Sequence, residues 1–253
     1  MPSDLADWTA TDLVAGYRRR DISPVEATES VLDRIGKVDP AINAFTLTDP
    51  DSALDSARES EQRWRAGGPR GPVDGVPTSI KDLLLTRGWP TLRGSKTIDP
   101  DQDWAVDSPA VARLREGGAV LIGKTTTPEL GWKGVTDNPL TGITRNPWNP
   151  ERTSGGSSGG AAAAVAAGMG PLAVGTDGGG SVRIPGSFCV ILAFKATYGT
   201  VPIYPPSPFG TLAHVGPMTR TVADTALLLD VITGPDPRDW SALARPTAPF
   251  RYA

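Results

Sequence analysis

Two segments rich in glycine and serine, residues 153–160 and 175–183, constrain the fold of this 253-residue chain more than any other feature. Each lies between apolar stretches, and the second continues directly from the apolar run 172–175. A flexible linker is the usual interpretation of such a run. It fits poorly here, because a linker inside a compact core would leave backbone N–H and C=O groups unpaired. Both segments are therefore predicted to be ordered loops of a packed domain.

The pattern of apolar residues predicts an α/β fold, because strand and helix signals alternate after the first three helices. Ser23, Pro24 and Glu26 form a capping-box signal for the start of a helix, and Thr221 repeats that signal further along the chain. Helices are predicted over residues 4–20, 24–36, 51–66, 109–117, 158–167 and 221–234. Strands are predicted over residues 76–85, 119–122 and 172–175.

The charge balance, 25 basic against 28 acidic residues, argues against a surface that binds nucleic acid or anionic membranes, because both need a basic excess. No apolar run approaches the roughly 20 residues of a membrane span, and residues 1–12 lack the apolar region of a signal peptide. The single cysteine, Cys189, allows neither an intramolecular disulfide nor a thiolate metal cluster. We expect a cytoplasmic protein without nucleic-acid or membrane partners.

The chain also has a single histidine, His214, which excludes a metal site with two histidine ligands. A Ser-His-Asp mechanism would have to use that residue. His214 precedes Gly216 and Pro217, which are predicted to form a turn. Cys189 is predicted to be a small buried apolar residue rather than a nucleophile.

The segment 175–183 has two further interpretations. One is a phosphate-binding loop, but the segment does not match the P-loop pattern and lacks the acidic partner of a dinucleotide site. The other is a nucleophile beside an oxyanion hole. Gly178, Gly179 and Gly180 have no Cβ atoms, so their N–H groups can converge on one concavity directly before the hydroxyl of Ser181.

A serine hydroxyl is a poor nucleophile until a base removes its proton. Lys81 lies within the predicted apolar strand 76–85, where burial would favour its neutral amine. The competing interpretation is a lysine at a strand end that pairs with Asp82. Without further motifs the pair with Asp82 is the preferred interpretation of Lys81, so these residues alone leave the base as either His214 or another group.

Five segments together resemble the motifs of the amidase-signature family. They are residues 80–82 (IKD) with 86–95, 123–129 (GKTTTPE), 155–160 (GGSSGG), 175–185 (GTDGGGSVRIP) and 216–220 (GPMTR). The resemblance implies an α/β/α fold with a mixed central sheet. It also implies hydrolysis of a small-molecule amide through a seryl acyl-enzyme, without a metal or organic cofactor.

The resemblance also implies a role for individual residues. Ser181 would be the acylated nucleophile, Ser157, held on a cis peptide bond, the relay, and Lys81 the base. The oxyanion donors would be the N–H groups of residues 178–180. Supporting residues would be Ser158, Asp177 and Arg183, the last two as an ion pair that shapes the nucleophile loop.

The chain departs from the family pattern at several positions. Val190 and Ala193 stand where glycine is usual, which predicts overpacking of about 1–3 kcal/mol where a helix approaches the sheet. Thr200 replaces a usual arginine. These changes affect the support of the site rather than the three implied catalytic residues.

Family members are also about twice as long, so residues 1–253 are predicted to be the N-terminal portion of a single amidase domain. Its proline-rich tail, residues 235–253, is predicted to be poorly ordered. Open sheet edges and uncovered apolar faces would make the chain a weak enzyme that associates into homo-oligomers. Two alternatives stay open: the A subunit of a transamidating amidotransferase, and a catalytically inactive fragment with at most an interaction role.

Overall fold

The computed structural model of the protein describes residues 4–252, and its helices alternate with the strands of one main sheet. The α-helices in chain order are α1 (Ala10–Arg19), α2 (Pro24–Ile42), α3 (Pro50–Ala66), α4 (Pro109–Glu116), α5 (Gly159–Ala166), α6 (Arg183–Phe188) and α7 (Val222–Ile232). The strands are β1 (Phe45–Thr48), β2 (Pro77–Lys81), β3 (Val120–Thr125), β4 (Asp137–Asn138), β5 (Gly142–Ile143), β6 (Arg145–Asn146), β7 (Asn149–Thr153), β8 (Leu172–Asp177), β9 (Leu192–Ala193) and β10 (His214–Thr219).

Side-chain caps fix the start of both helices for which the sequence carried a capping signal. Ser23 begins α2 in a complete capping box with Glu26, as predicted. Thr221 begins α7 by accepting a hydrogen bond from the N–H of Asp224. The carboxylate of Asp224 accepts from the N–H of Thr11 instead of returning to Thr221, so this second box is only half formed.

Two predicted helix boundaries are wrong. The helix expected to end at Gly36 continues to Ile42, because a glycine inside a helix lowers its stability without ending it. The helix ends where Asn43 adopts the left-handed conformation that closes many helices. The helix expected over 4–20 is interrupted, because Leu5–Asp7 forms a 3-10 turn and Thr9 then caps α1.

The main sheet is mixed, as predicted. Its strand order is β1-β3-β2-β8-β10-β9, in which β3, β2 and β8 are parallel and the remaining neighbours are antiparallel. The predicted turn at Gly216 and Pro217 is wrong, because both residues lie inside β10, opposite Gly175 and Val174 of β8. Proline lacks an N–H but keeps its carbonyl, and the N–H of Phe194 donates to it at 3.1 Å.

Helices cover both faces of this sheet, which gives the predicted α/β/α layers. Alternate strand residues point to opposite faces, so Leu172 and Val174 belong to one apolar cluster and Ala173 to the other. The first cluster includes residues of α1, α4 and α7, such as Leu13, Leu114 and Leu228; the second includes residues of α2, α3 and α5, such as Val31, Ala57 and Val165.

Val190 and Ala193, which stand where the family usually has glycine, lie in different surroundings. The helix α6 does approach the sheet closely, since a Cβ on Gly186 would lie 2.5 Å from the Cβ of Ala193. Val190 is 73% exposed, so the predicted overpacking at that position is wrong. Its backbone instead lies in the left-handed region, with φ +57°. The cost at Val190 is therefore conformational rather than steric.

Several hydrogen bonds join the segment 235–250 to the rest of the domain, among them those of Asp239, Leu243 and Phe250. The carboxylate of Asp239 accepts from the N–H of Ile203 at 2.7 Å, and the N–H of Leu243 donates to the carbonyl of Gly199 at 2.8 Å. The N–H of Phe250 donates to a carboxylate of α7 at 2.6 Å. Poor order of this tail stays a prediction. Among residues 4–252, none of the helices combines the length and apolar character needed to cross a membrane.

Candidate active site

The candidate site lies where β2 and β8 end. These neighbouring strands are parallel, so their carboxyl ends meet at the same edge of the sheet. Lys81 is the last residue of β2, and Thr176 and Asp177 are the last residues of β8. Ser158 directly precedes α5, which packs against both strands. Residues distant in the sequence therefore meet at one place.

The side chain of Lys81 is fully buried and contacts three hydroxyl groups. Its Nζ lies 2.7 Å from Oγ of Ser157, 2.8 Å from Oγ of Ser158 and 2.8 Å from Oγ1 of Thr176. Ser157 follows a cis peptide bond from Gly156, as the family resemblance implied. Thr176 was not among the predicted site residues, although it lies inside the glycine-rich segment, directly before Asp177.

The hydrogen bonds of Ser158 show which of the two serines can donate a proton to Lys81. The hydroxyl of Ser158 donates to the carbonyl of Thr176 at 3.1 Å, so it can only accept from Lys81. Oγ of Ser157 has Lys81 as its hydrogen-bond partner within the described residues. Ser157 is therefore free to donate its proton to a neutral amine at Lys81.

Burial holds the pKa of Lys81 well below its ordinary value, and only the charge of Asp177 acts in the opposite direction. The competing pair between Lys81 and Asp82 does not form. The carboxylate of Asp82 lies 3.2 Å from Nζ of a second buried lysine, Lys124, instead. Burial lowers the pKa of Lys124 to about 8 although Asp82 opposes this shift. Within residues 4–252, Lys81 has no carboxylate partner and lies in the buried setting that a basic amine requires.

Asp177 and Arg183 form the predicted ion pair, with the guanidinium donating at 2.9 and 3.0 Å. The same carboxylate accepts the N–H of Gly180 at 2.7 Å and that of Val182 at 3.2 Å. Burial acts to raise the pKa of Asp177, but the guanidinium and the backbone donors outweigh it and hold the pKa at about 2. Asp177 thus fixes the loop that carries Ser181.

The three glycines before Ser181 are not equivalent. The N–H of Gly180 serves the carboxylate of Asp177 and not the cavity, which departs from the prediction for this residue. Gly178, Gly179 and Ser181 line the cavity. In the part of the chain that the structure describes, the N–H groups of these three residues have no hydrogen-bond acceptor. They are the groups available to an oxyanion.

His214 lines the same cavity, but other groups use its ring nitrogens. Nδ1 lies 2.7 Å from the carbonyl of Leu212, which can only accept, so Nδ1 carries the proton. Nε2 then accepts from Nζ of Lys195 at 3.3 Å. Within residues 4–252, no hydrogen bond joins His214 to Ser181. Cys189 is buried, and burial raises the pKa of its thiol to about 12, so this thiol is inert.

The cavity beside Ser181 has a volume of about 540 Å³. The rings of Trp132 and Phe209 stack at its wall with their centroids 5.1 Å apart. Aliphatic side chains form much of the remaining wall: Leu83, Leu84, Leu130, Ile184, Ile203 and Val215. A site of this size and character accommodates an apolar organic molecule next to a few polar groups.

Comparisons with known proteins agree with one another. The family profile named Amidase matches residues 26–252. An acylamidase from Rhodococcus erythropolis is 44% identical over 238 residues, which are 94% of this chain and 50% of that protein. The A subunit of a glutamyl-tRNA(Gln) amidotransferase from Acidothermus cellulolyticus is 45% identical over 247 residues, 96% of this chain and 48% of that protein.

Solved structures give the same result. The crystal structure of a bacterial aryl acylamidase of the amidase-signature enzymes matches with a TM-score of 0.90 at 39% identity, and covers 97% of this chain and 51% of that chain. A 6-aminohexanoate cyclic dimer hydrolase matches with a TM-score of 0.88 at 36% identity, over 99% of this chain and 51% of that chain. The chain thus spans about half the length of the relatives it matches.

Proposed function

This chain belongs to the amidase family, and we propose that it hydrolyses carboxamides through a seryl acyl-enzyme, with Ser181 as nucleophile, Ser157 as relay and Lys81 as base. The observation that carries this proposal is the buried contact of 2.7 Å between Lys81 and Ser157. The contact supports proton transfer because burial favours the neutral amine of Lys81. The hydroxyl of Ser158 already donates its proton to the carbonyl of Thr176, whereas Ser157 can donate to the amine.

The reaction would run in two steps. Ser181 attacks the amide carbonyl while its proton passes through the hydroxyl of Ser157 to the lone pair of Lys81. The oxyanion accepts from the N–H groups of Gly178, Gly179 and Ser181, a role supported by the lack of another acceptor for these groups among the described residues. The C–N bond then breaks as Ser157 returns a proton to the leaving amine.

Hydrolysis of the acyl-enzyme completes the cycle. Water attacks the ester at Ser181 and gives a proton to Lys81 through Ser157. The bond between the acyl carbon and Oγ of Ser181 then breaks as Lys81 returns a proton to that oxygen through Ser157, which releases the carboxylic acid and regenerates the serine. Every proton transfer uses groups of the chain itself, with a small-molecule amide as substrate. We place this activity in the cytoplasm.

Hydroxylamine trapping tests the acyl-enzyme. The chain is incubated with 4-nitroacetanilide and hydroxylamine, and both nitroaniline and acetohydroxamate are quantified by mass spectrometry. We expect the two products in the wild type and neither in Ser181→Ala. Ser207 also lines the cavity, so Ser207→Ala is the matched control and should retain both. Nitroaniline release that persists in Ser181→Ala, or that forms no hydroxamate, contradicts the proposal.

A second candidate is the A subunit of a transamidating amidotransferase, favoured by the 45% identity to a protein of that kind. The same acyl-enzyme chemistry on glutamine would release ammonia for a partner protein. The charges at the cavity favour the first candidate. Asp177, the acidic residue among the described lining residues, is paired with Arg183, so the ammonium group of glutamine would lack an anionic partner. Glutamine deamidation faster than anilide hydrolysis under equal conditions would reverse this order.

A further inference from the structure

Arg93 has an unusual backbone conformation at the wall of the cavity. Its φ is +55°, a region that residues with a side chain seldom adopt. Both of its backbone groups are held in place. The N–H donates to the carboxylate of Asp82 at 2.8 Å, and the carbonyl accepts from the N–H of Leu130 at 2.8 Å. Such a residue persists only where its surroundings over-determine it, which is a recurring feature of ligand-binding positions.

The anchors of Arg93 connect it to the candidate base. Asp82 follows Lys81 directly in the sequence and is itself held by the buried Lys124 at 3.2 Å. The position of Arg93 relative to the end of β2 is therefore fixed by a buried ion pair rather than by a mobile loop. A group bound by Arg93 would lie at a defined place along the cavity.

The charge of Arg93 is unpaired, unlike that of the other ionised groups at the cavity wall. Nζ of Lys133 donates to both carboxylate oxygens of Asp137, at 2.7 and 2.8 Å, and Asp177 is paired with Arg183. Arg93 also lines the cavity. Among residues 4–252, no carboxylate forms an ion pair with its guanidinium, and no side-chain acceptor binds it.

We propose that Arg93 is a specificity-determining residue that binds a carboxylate on the substrate, so that the preferred amides have an apolar body and an anionic end. The inference rests on the function proposed above, since it concerns the substrate of that same site. A guanidinium presents paired N–H donors that match the two oxygens of a carboxylate. The aliphatic wall beside it, including Leu83 and Leu130, lowers the local dielectric and strengthens that interaction.

Two fluorophosphonate probes of equal length test this inference, one ending in a methyl group and one in a carboxylate. The second-order rate of phosphonylation is measured with the 253-residue chain by intact-mass spectrometry. We expect the wild type to react about 10- to 100-fold faster with the carboxylate probe, the range of one charge-assisted hydrogen bond. The preference should shrink as salt is added, because ions screen the charge.

Variants separate charge recognition from a merely structural role. Arg93→Met should lose the preference while its rate with the methyl probe stays near the wild type, and Arg93→Lys should retain part of the preference. Lys133→Met is the matched control. Its ammonium is already neutralised by Asp137, so the preference should change by less than about 3-fold.

Three outcomes would overturn the inference: a wild type without preference for the carboxylate probe, an equal loss with both probes in Arg93→Met, or a loss in Lys133→Met as large as that in Arg93→Met. Rapid labelling by the methyl probe in any of these cases leaves the proposed nucleophile standing. If neither probe labels Ser181, the proposed function itself fails, and the inference fails with it.

Discussion

Replacing Val190 by glycine should stabilise the protein. The N–H of Ile191 donates to the carbonyl of Gly186 and that of Val190 to the carbonyl of Ser187, which is the Schellman pattern that closes α6. Val190 occupies the left-handed position of this motif, where glycine is usual, with φ +57°.

The expected gain follows from two opposing quantities. A left-handed residue with a Cβ costs about 1–2 kcal/mol, which glycine avoids. The larger conformational freedom of glycine in the unfolded chain takes back about 0.4–1 kcal/mol. Val190 is 73% exposed, so little apolar burial is lost. The net gain is about 0.5–1 kcal/mol, or roughly 1–4 °C in Tm for a chain of this size.

Thermal unfolding followed by circular dichroism measures this shift. Val222 is the matched control, because it is 72% exposed but begins the helix α7 with an ordinary backbone conformation. Val222→Gly should lower stability by about 0.4–1 kcal/mol, because glycine has more conformational freedom in the unfolded chain. Val190→Ala should gain less than Val190→Gly, since it keeps the Cβ. A Tm that falls in Val190→Gly would show that the left-handed backbone of Val190 carries no strain for glycine to relieve.

Three further predictions concern the site. Lys81→Met should slow fluorophosphonate labelling of Ser181 by about 10²- to 10⁴-fold, the scale of a lost general base, whereas His214→Ala should change the labelling rate little. A large loss of rate in His214→Ala with a small one in Lys81→Met would assign the base to His214. In the wild type, the labelling rate should rise with pH and level off below the ordinary lysine pKa of 10.5, because burial lowers the pKa of Lys81; a midpoint near 10.5 would contradict its burial. In the folded protein the pKa of Asp177 is about 2, below its ordinary value of 3.8. Ionised Asp177 therefore stabilises the fold above pH 3.8, and this contribution is lost as the pH falls from 3.8 towards 2. Between pH 3.8 and 2, the free energy of unfolding should therefore fall less steeply in Asp177→Asn than in the wild type. An equally steep fall in both proteins would show that the ion pair with Arg183 does not stabilise the fold.

The sequence predicts best where a signal is local. The capping residue Ser23 and its partner Glu26 stand three positions apart, and the structure forms their capping box as predicted. Contiguous motifs likewise located Ser157 and Lys81, which the structure brings to 2.7 Å from each other. The α/β/α layers followed from the alternation of helix and strand signals, together with the family resemblance.

The features that the sequence did not predict depend on contacts between residues that are far apart in the chain or on the geometry of a loop. Pro217 carries a turn signal, but its strand is held between β8 and β9, and tertiary pairing overrides the local preference. The engagement of Gly180 by Asp177 depends on the loop geometry, which the residue types alone do not determine. The unpaired charge of Arg93 becomes visible only once the acidic side chains around the cavity have been assigned to other partners.

Identification of the modified serine is the sharpest experiment on the proposed nucleophile and base. The chain is reacted with a small neutral fluorophosphonate, digested, and analysed by tandem mass spectrometry of the peptides that carry Ser157, Ser158 and Ser181. We expect one phosphonyl group, on Ser181, and labelling of that serine that is about 10²- to 10⁴-fold slower in Lys81→Met. Modification of Ser157 or Ser158 in place of Ser181 would show that Ser181 is not the nucleophile, and labelling as fast without Lys81 as with it would show that Lys81 is not the base.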